Sequence, residues 1–141
     1  MRRAPLQSLW SLPVVLMSFA FAIAQGAGPT ALQVGTPIER TLAGGQTHNY
    51  NITLDQNQYL QLVVDQRGID VIVRVFSPGG KKLGEFDSPN GDEGPENVSV
   101  IAFDAGAYRI EVAPLGQAVN PSPGKYEIKV TEVRKATEEE L

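Results

Sequence analysis

Residues 69–76 read I-D-V-I-V-R-V-F, and this alternation constrains the chain more than any other stretch. Ile69, Val71, Val73 and Val75 fall on one face of an extended segment, and Asp70, Ile72, Arg74 and Phe76 on the other. A period of two is that of a strand, and a face built from β-branched side chains has to be buried. Ser77-Pro78-Gly79-Gly80 then turns the chain, because proline presets the negative φ of a turn's second residue and glycine accepts the positive φ that follows. A short strand over residues 81–86 returns, which makes a hairpin, and the rest of the chain reads as further antiparallel strands that cover it.

Those strands follow the same pattern. Residues 38–42 form a short strand, and Ala43-Gly44-Gly45-Gln46 turns into a strand over 47–54 with Tyr50, Ile52 and Leu54 on one face. Residues 59–66 align Leu60, Leu62 and Val64, and residues 97–103 align Val98, Val100 and Ala102. Ile101 and Phe103 make the opposite face of that last strand apolar too, so it is expected to be covered on both sides. The two final strands share the pattern Gly-x-Tyr-x-Ile-x-Val, through Tyr108, Ile110 and Val112 and through Tyr126, Ile128 and Val130. Tyrosine there buries its ring while its hydroxyl seeks a partner at the rim. About eight short strands with turn signals between them and no helical periodicity predict an all-β fold, an antiparallel β-sandwich of jelly-roll type. At the far end Thr137-x-x-Glu140 is a capping box, which predicts the start of a helix after the sandwich.

The first residues carry a different signal. Arg2 and Arg3 form a basic n-region, residues 12–24 are an apolar h-region, and Ala22-Ile23-Ala24 has small residues where a signal peptidase reads. A membrane anchor is the competing reading, but the apolar run is shorter than the ~20 residues that span a bilayer and lacks basic residues behind it. The expected organisation is therefore a signal peptide over 1–24, a leader loop or first edge strand over 25–37, a sandwich over 38–134, and a helix start or linker over 135–141. The chain lacks cysteine, so an exported domain of this kind depends on sheet packing, with a bound ion as a further source of stability. A formal net charge of −4 argues against nucleic acid and anionic membrane as partners, which require clustered Lys and Arg. Lys81-Lys82 is the close basic pair of the folded part and reads as a solvated turn.

Catalytic constellations are missing. His48 is the sole histidine, Gly-x-Ser-x-Gly is absent, and thiol chemistry is excluded by composition. His48 reads as an exposed strand-end residue. Glycine-rich phosphate-binding motifs are absent too. Asn51-Ile52-Thr53 and Asn97-Val98-Ser99 match the glycosylation acceptor pattern, which matters only in a host with that machinery. Tyr50, Tyr59, Tyr108 and Tyr126 suggest an aromatic sugar platform, but most share a face with Ile or Leu and read better as core.

The loop over 87–96 is the remaining candidate. Asp87, Asn90, Asp92, Glu93 and Glu96 are hard oxygen donors on a glycine-broken backbone, the ligand class that calcium requires, although the spacing is not that of an EF-hand. The preferred alternative is a plain turn in which Asp87 and Asn90 bond local backbone amides. No other cofactor is expected.

The order of these motifs resembles a known family. Residues 42–50 (L-A-G-G-Q-T-H-N-Y), then Q-Y-L-Q-L-V-V from Gln58, Gly68-Ile69-Asp70-Val71, Ser77-Pro78-Gly79-Gly80, Asp87-Ser88-Pro89-Asn90-Gly91 and the two Gly-x-Tyr strands resemble the bacterial pre-peptidase C-terminal domain. The likeness spans roughly residues 38–134. The ending from Val133 to Thr137 is similar to the junction in exported proteins where such a domain precedes tetratricopeptide repeats and a CHAT protease-like domain. The resemblance implies a non-catalytic jelly-roll module that serves interaction, stability or export. Its implied partners are a helical-repeat or protease-like region of the same polypeptide, or an extracellular polymer. The alternative is a carbohydrate- or protein-binding module that uses an exposed sheet face around Tyr59. Some relatives in collagenases bind calcium and collagen, and neither activity carries over to this chain by default.

Overall fold

The computed structural model describes residues 28–116 and 122–141. The signal peptide expected over 1–24 and most of the loop after Pro114 lie outside the described residues. Nine strands are present among the described residues: β1 (Thr30–Ala31), β2 (Ile38–Leu42), β3 (His48–Leu54), β4 (Gln58–Arg67), β5 (Val71–Phe76), β6 (Lys82–Phe86), β7 (Glu93–Ala102), β8 (Gly106–Pro114) and β9 (Gly124–Lys135).

They form a five-stranded sheet in the order β1-β3-β8-β5-β6 and a four-stranded sheet in the order β2-β9-β4-β7. With the short parallel β1 set aside, one sheet takes the first, last, third and sixth of the remaining strands, and the other takes the second, seventh, fourth and fifth. Every pairing among these eight is antiparallel. This alternation between sheets is the jelly roll, two interlocked Greek keys.

The alternating positions meet in the middle. Ile69, Val71, Val73 and Val75 are buried, as are Tyr50, Ile52 and Leu54, the Leu60-Leu62-Val64 row, and both Tyr-Ile-Val rows of β8 and β9. Burial of one such aliphatic side chain contributes about 1.5–3 kcal/mol, so these rows are the main source of stability. The glycine at the start of each final strand permits a close approach. A methyl on Gly124 would lie 2.6 Å from Cβ of Ile69, and closer still to the Gly68 carbonyl oxygen. Gly106 has φ +146° and abuts Pro78. Thr131 is the extra residue of a bulge in β9, opposite the step from Gln61 to Leu62, and its hydroxyl donates to the Gln61 carbonyl at 3.2 Å.

Four expectations change. The leader is a structural clamp: Thr30 and Ala31 pair in parallel with Tyr50 and Asn51, Leu32 is buried, and Val34 bridges Val130 of the other sheet. The strand expected to start at Asn97 begins at Glu93, so the last four residues of the acidic loop are paired with Val64–Arg67 of β4. The outer face of β7 is only partly covered: Ile101 is half-buried, and Phe103 just beyond the strand is 58 % exposed. At the C-terminal end β9 runs on to Lys135, and residues 138–140 form a turn. Half of the capping box is made there. Glu140 accepts from the Thr137 N–H at 2.8 Å while Arg134 grips the same carboxylate at 2.7 and 2.8 Å, and these bonds hold its pKa down at about 2.

Candidate functional site

Two polar clusters interrupt the apolar interior. The first lies where β4, β5 and β7 meet the acidic segment. Gln66 and Glu96 are fully buried because they continue inward-facing rows: Leu60-Leu62-Val64-Gln66 on β4 and Glu96-Val98-Val100-Ala102 on β7. The Gln66 side chain accepts from the Val71 N–H at 2.6 Å and donates to Glu96 at 2.9 Å and to Asn90 at 3.1 Å. The other oxygen of Glu96 accepts from the Ser88 N–H at 2.6 Å, and Asn90 donates to the Pro95 carbonyl at 3.1 Å. One amide thus ties three segments together and satisfies a buried carboxylate.

The five expected metal ligands are only partly brought together. Asp87, Asn90, Asp92 and Glu93 are exposed, and the side-chain oxygens of Glu96 and Asn90 are already taken by protein donors. Among the described residues no group of three or more His, Asp or Glu side chains is already gathered as a metal site. The expected local caps from Asp87 and Asn90 are replaced by Glu96 and Gln66, which reach the loop from the strands. Asp70 belongs to this cluster as well. Its Oδ1 is buried without a hydrogen-bond partner, and burial first, then the charges of Asp87, Glu96 and Asp92, push its pKa up.

None of the protein-family models matches the sequence, and no curated protein matches it. Among solved structures, the pre-peptidase C-terminal domain of a collagenase from Bacillus anthracis superposes with a TM-score of 0.59 at 19% identity, covering 73% of this chain and 94% of that one. The chain has the fold of a pre-peptidase C-terminal domain. PliG of Aeromonas hydrophila, a periplasmic inhibitor of g-type lysozyme, is also similar, with a TM-score of 0.52 at 15% identity over 73% of this chain and 96% of its own.

In this pre-peptidase C-terminal fold the second cluster sits at the opposite edge of the sandwich. Tyr50 on β3 and Tyr126 on β9 are fully buried and face each other across the two sheets, hydroxyl to hydroxyl. Tyr126 also bonds Nδ1 of His48 at 2.7 Å, with the two rings tilted at 40°. His48 is therefore half-buried and engaged rather than a free strand-end residue. Burial, reinforced by Arg40, pushes its pKa down, and burial pushes the Tyr50 and Tyr126 hydroxyls up. Tyr108 uses its hydroxyl separately, donating to the Asp104 carbonyl at 2.7 Å.

The outer face of the β2-β9-β4-β7 sheet carries Tyr59, which donates to Ser99 at 3.0 Å. The guanidinium of Arg134 stacks 4.2 Å from its ring centroid, so one face of the ring is already covered. Sequence reasoning missed Gln66, Asp70 and Arg40. For Gln66 the signal was present, since it extends the Leu60-Leu62-Val64 alternation by one step.

Proposed function

We propose that this chain is a non-catalytic accessory module of an exported bacterial protein, a β-sandwich that serves contact and stability rather than turnover. The observation that carries the reading is the use made of His48. The one imidazole in the sequence is bonded to a buried tyrosine hydroxyl, in a fold shared with the pre-peptidase C-terminal domain of a collagenase and with a periplasmic lysozyme inhibitor. Nδ1 is thereby committed to the interior, and a general base would have to use Nε2 within reach of a nucleophile. The basic and apolar segment over 1–24 supports export. Expression of the full precursor in a bacterial host, fractionation and mass spectrometry test this. Protein outside the cytoplasm should begin at Gln25 or within the next few residues and should turn over no ester, peptide or glycoside. An intact Met1 on exported protein, or turnover that disappears in His48→Ala, overturns the proposal.

A second reading, a glycan-binding face around Tyr59, draws on the neighbouring Ser99, Val100 and Ile101, which line a shallow surface pocket with it. Saturable binding on a glycan array that is lost in Tyr59→Ala supports it. The stacked Arg134 counts against it, because a sugar requires an open ring face.

A further inference from the structure

The open edge of the sandwich, where β2 of one sheet faces β1 and β3 of the other, contains a cavity of about 280 Å³. Thr30, Arg40, Thr47, His48, Asn49 and Tyr50 line it. Arg40 reaches it because the alternation of β2 puts position 40 on the same face as buried Leu42, toward the opposite sheet. Five arginines lie among the described residues, and Arg67, Arg74, Arg109 and Arg134 each hold at least one carboxylate. Arg40 holds none among those residues. Its guanidinium is exposed and, among those residues, bonds only the carbonyl of Glu39, whose carboxylate is engaged by Arg67 and Lys125. An inward charge on an edge strand also blocks unwanted strand pairing, but that role asks nothing of the groups around it.

Those groups can act as donors. The Tyr50 and Tyr126 hydroxyls bond each other, and either can donate. In one polarity the chain runs from Tyr50 to Tyr126 to Nδ1 of His48. His48 is then the neutral tautomer with its proton on Nε2, across the ring from Tyr126. Among the described residues the lining consists of Arg40, His48, Asn49, Tyr50 and two threonines, with Gly28 beside them, and contains no carboxylate.

We propose that the cavity binds a small hydroxylated monocarboxylate of the sugar-acid class, with its carboxylate on Arg40, a second bond from His48 Nε2–H, and its hydroxyls toward Thr30 and Thr47. A single fixed cation matches a monoanion better than a phosphate dianion, and guanidinium matches the planar carboxylate fork. An amino acid fits less well, because among the described residues the lining offers its ammonium group no carboxylate. The size lies at the small end of ligand pockets. The site is independent of the accessory role proposed above, since a module can hold a small acid whether or not it aids export.

The sole histidine makes the test direct, because His48 gives one set of imidazole resonances. Titration of the intact protein with glucuronate should shift those resonances saturably at micromolar to millimolar concentration, while glucose should leave them in place. Arg40→Gln should weaken glucuronate binding by at least about tenfold, and Arg109→Gln, on the outer face and paired with Glu111, should not. The amide spectrum of the Arg40→Gln protein reports whether it is folded, and the comparison of glucuronate with glucose needs no variant. Absence of a saturable shift, an equal response to glucose, a stronger response to inorganic phosphate, or unchanged binding by folded Arg40→Gln each overturns the proposal.

Discussion

Asp70 is the residue at which the interior is least well satisfied. Its Oδ1 is buried without a partner and faces the charges of Asp87, Glu96 and Asp92, so ionisation of this carboxyl opposes folding at neutral pH. With a folded pKa above the ordinary 3.8, the native state binds the proton first as pH falls, and the penalty disappears on passing below that value. Asp70→Asn should raise the melting temperature at pH 7 by a few degrees, with the gain shrinking toward pH 3.5 in parallel thermal scans. Because the oxygens of Glu96 and Asn90 are already occupied, millimolar calcium should leave the melting curve where excess chelator leaves it. A rise that grows with free calcium would instead make this cluster a metal site. Val73 gives the opposite contrast to its neighbour. Val73→Asp places an unpaired carboxylate in the core and should cost about 4 kcal/mol or more, which leaves the domain unfolded. Arg74 bridges Glu85 and Glu111 on the outer face, and Arg74→Ala should cost about 1 kcal/mol, read from urea midpoints. The inward and outward assignment of this pair was legible in the alternation alone. The partners of Arg74 were not, since they come from two other strands.

At the scale of elements, the two Gly-x-Tyr strands show why a pattern predicts a face but not a contact. Burial of Tyr108 and Tyr126 follows from period two, but the reason for glycine two positions earlier lies elsewhere in the chain. At Gly124 it is the backbone of Gly68 and the side chain of Ile69, which leave no room for a Cβ. Gly124→Ala should therefore cost several kcal/mol in a chemical denaturation series, about 3 or more, because backbone must move to admit the methyl. Gly79→Ala is the control. Gly79 has no positive φ, and its nearest contact is the flexible Ser77 hydroxyl at 3.9 Å, so the change should stay within about 0.5 kcal/mol. The acidic segment shows the converse. Asp, Asn, Glu, Gly and Pro in succession read as a loop, yet Glu93–Glu96 are held in β7 by pairing with β4, and Glu96 turns inward because Gln66 is there to meet it. Propensity alone points to a turn, and tertiary pairing overrides it.

At the scale of the whole molecule, the segment before β2 acts on both sheets at once. Leu32 donates its N–H to Asn51 of one sheet at 2.8 Å, and Gly35 donates to Val130 of the other at 2.8 Å, with the Leu32 side chain buried between. A form that begins at Gly28 keeps this segment. Truncation to begin at Ile38 should lower stability by about 3 kcal/mol or more, the sum of one buried leucine and the lost pairings. The sequence by itself determined the strand faces, the turns and the all-β class, because each rests on local periodicity and on the φ preferences of Gly and Pro. The order of strands within each sheet, the clamp made by the leader, the closure of Gly124 on Gly68, and the meeting of Arg40, His48, Tyr50 and Tyr126 were decided only by the tertiary structure. Each of these brings together residues far apart in the chain, and one period of two fits many such arrangements until side-chain packing and the pairing of buried polar groups leave one.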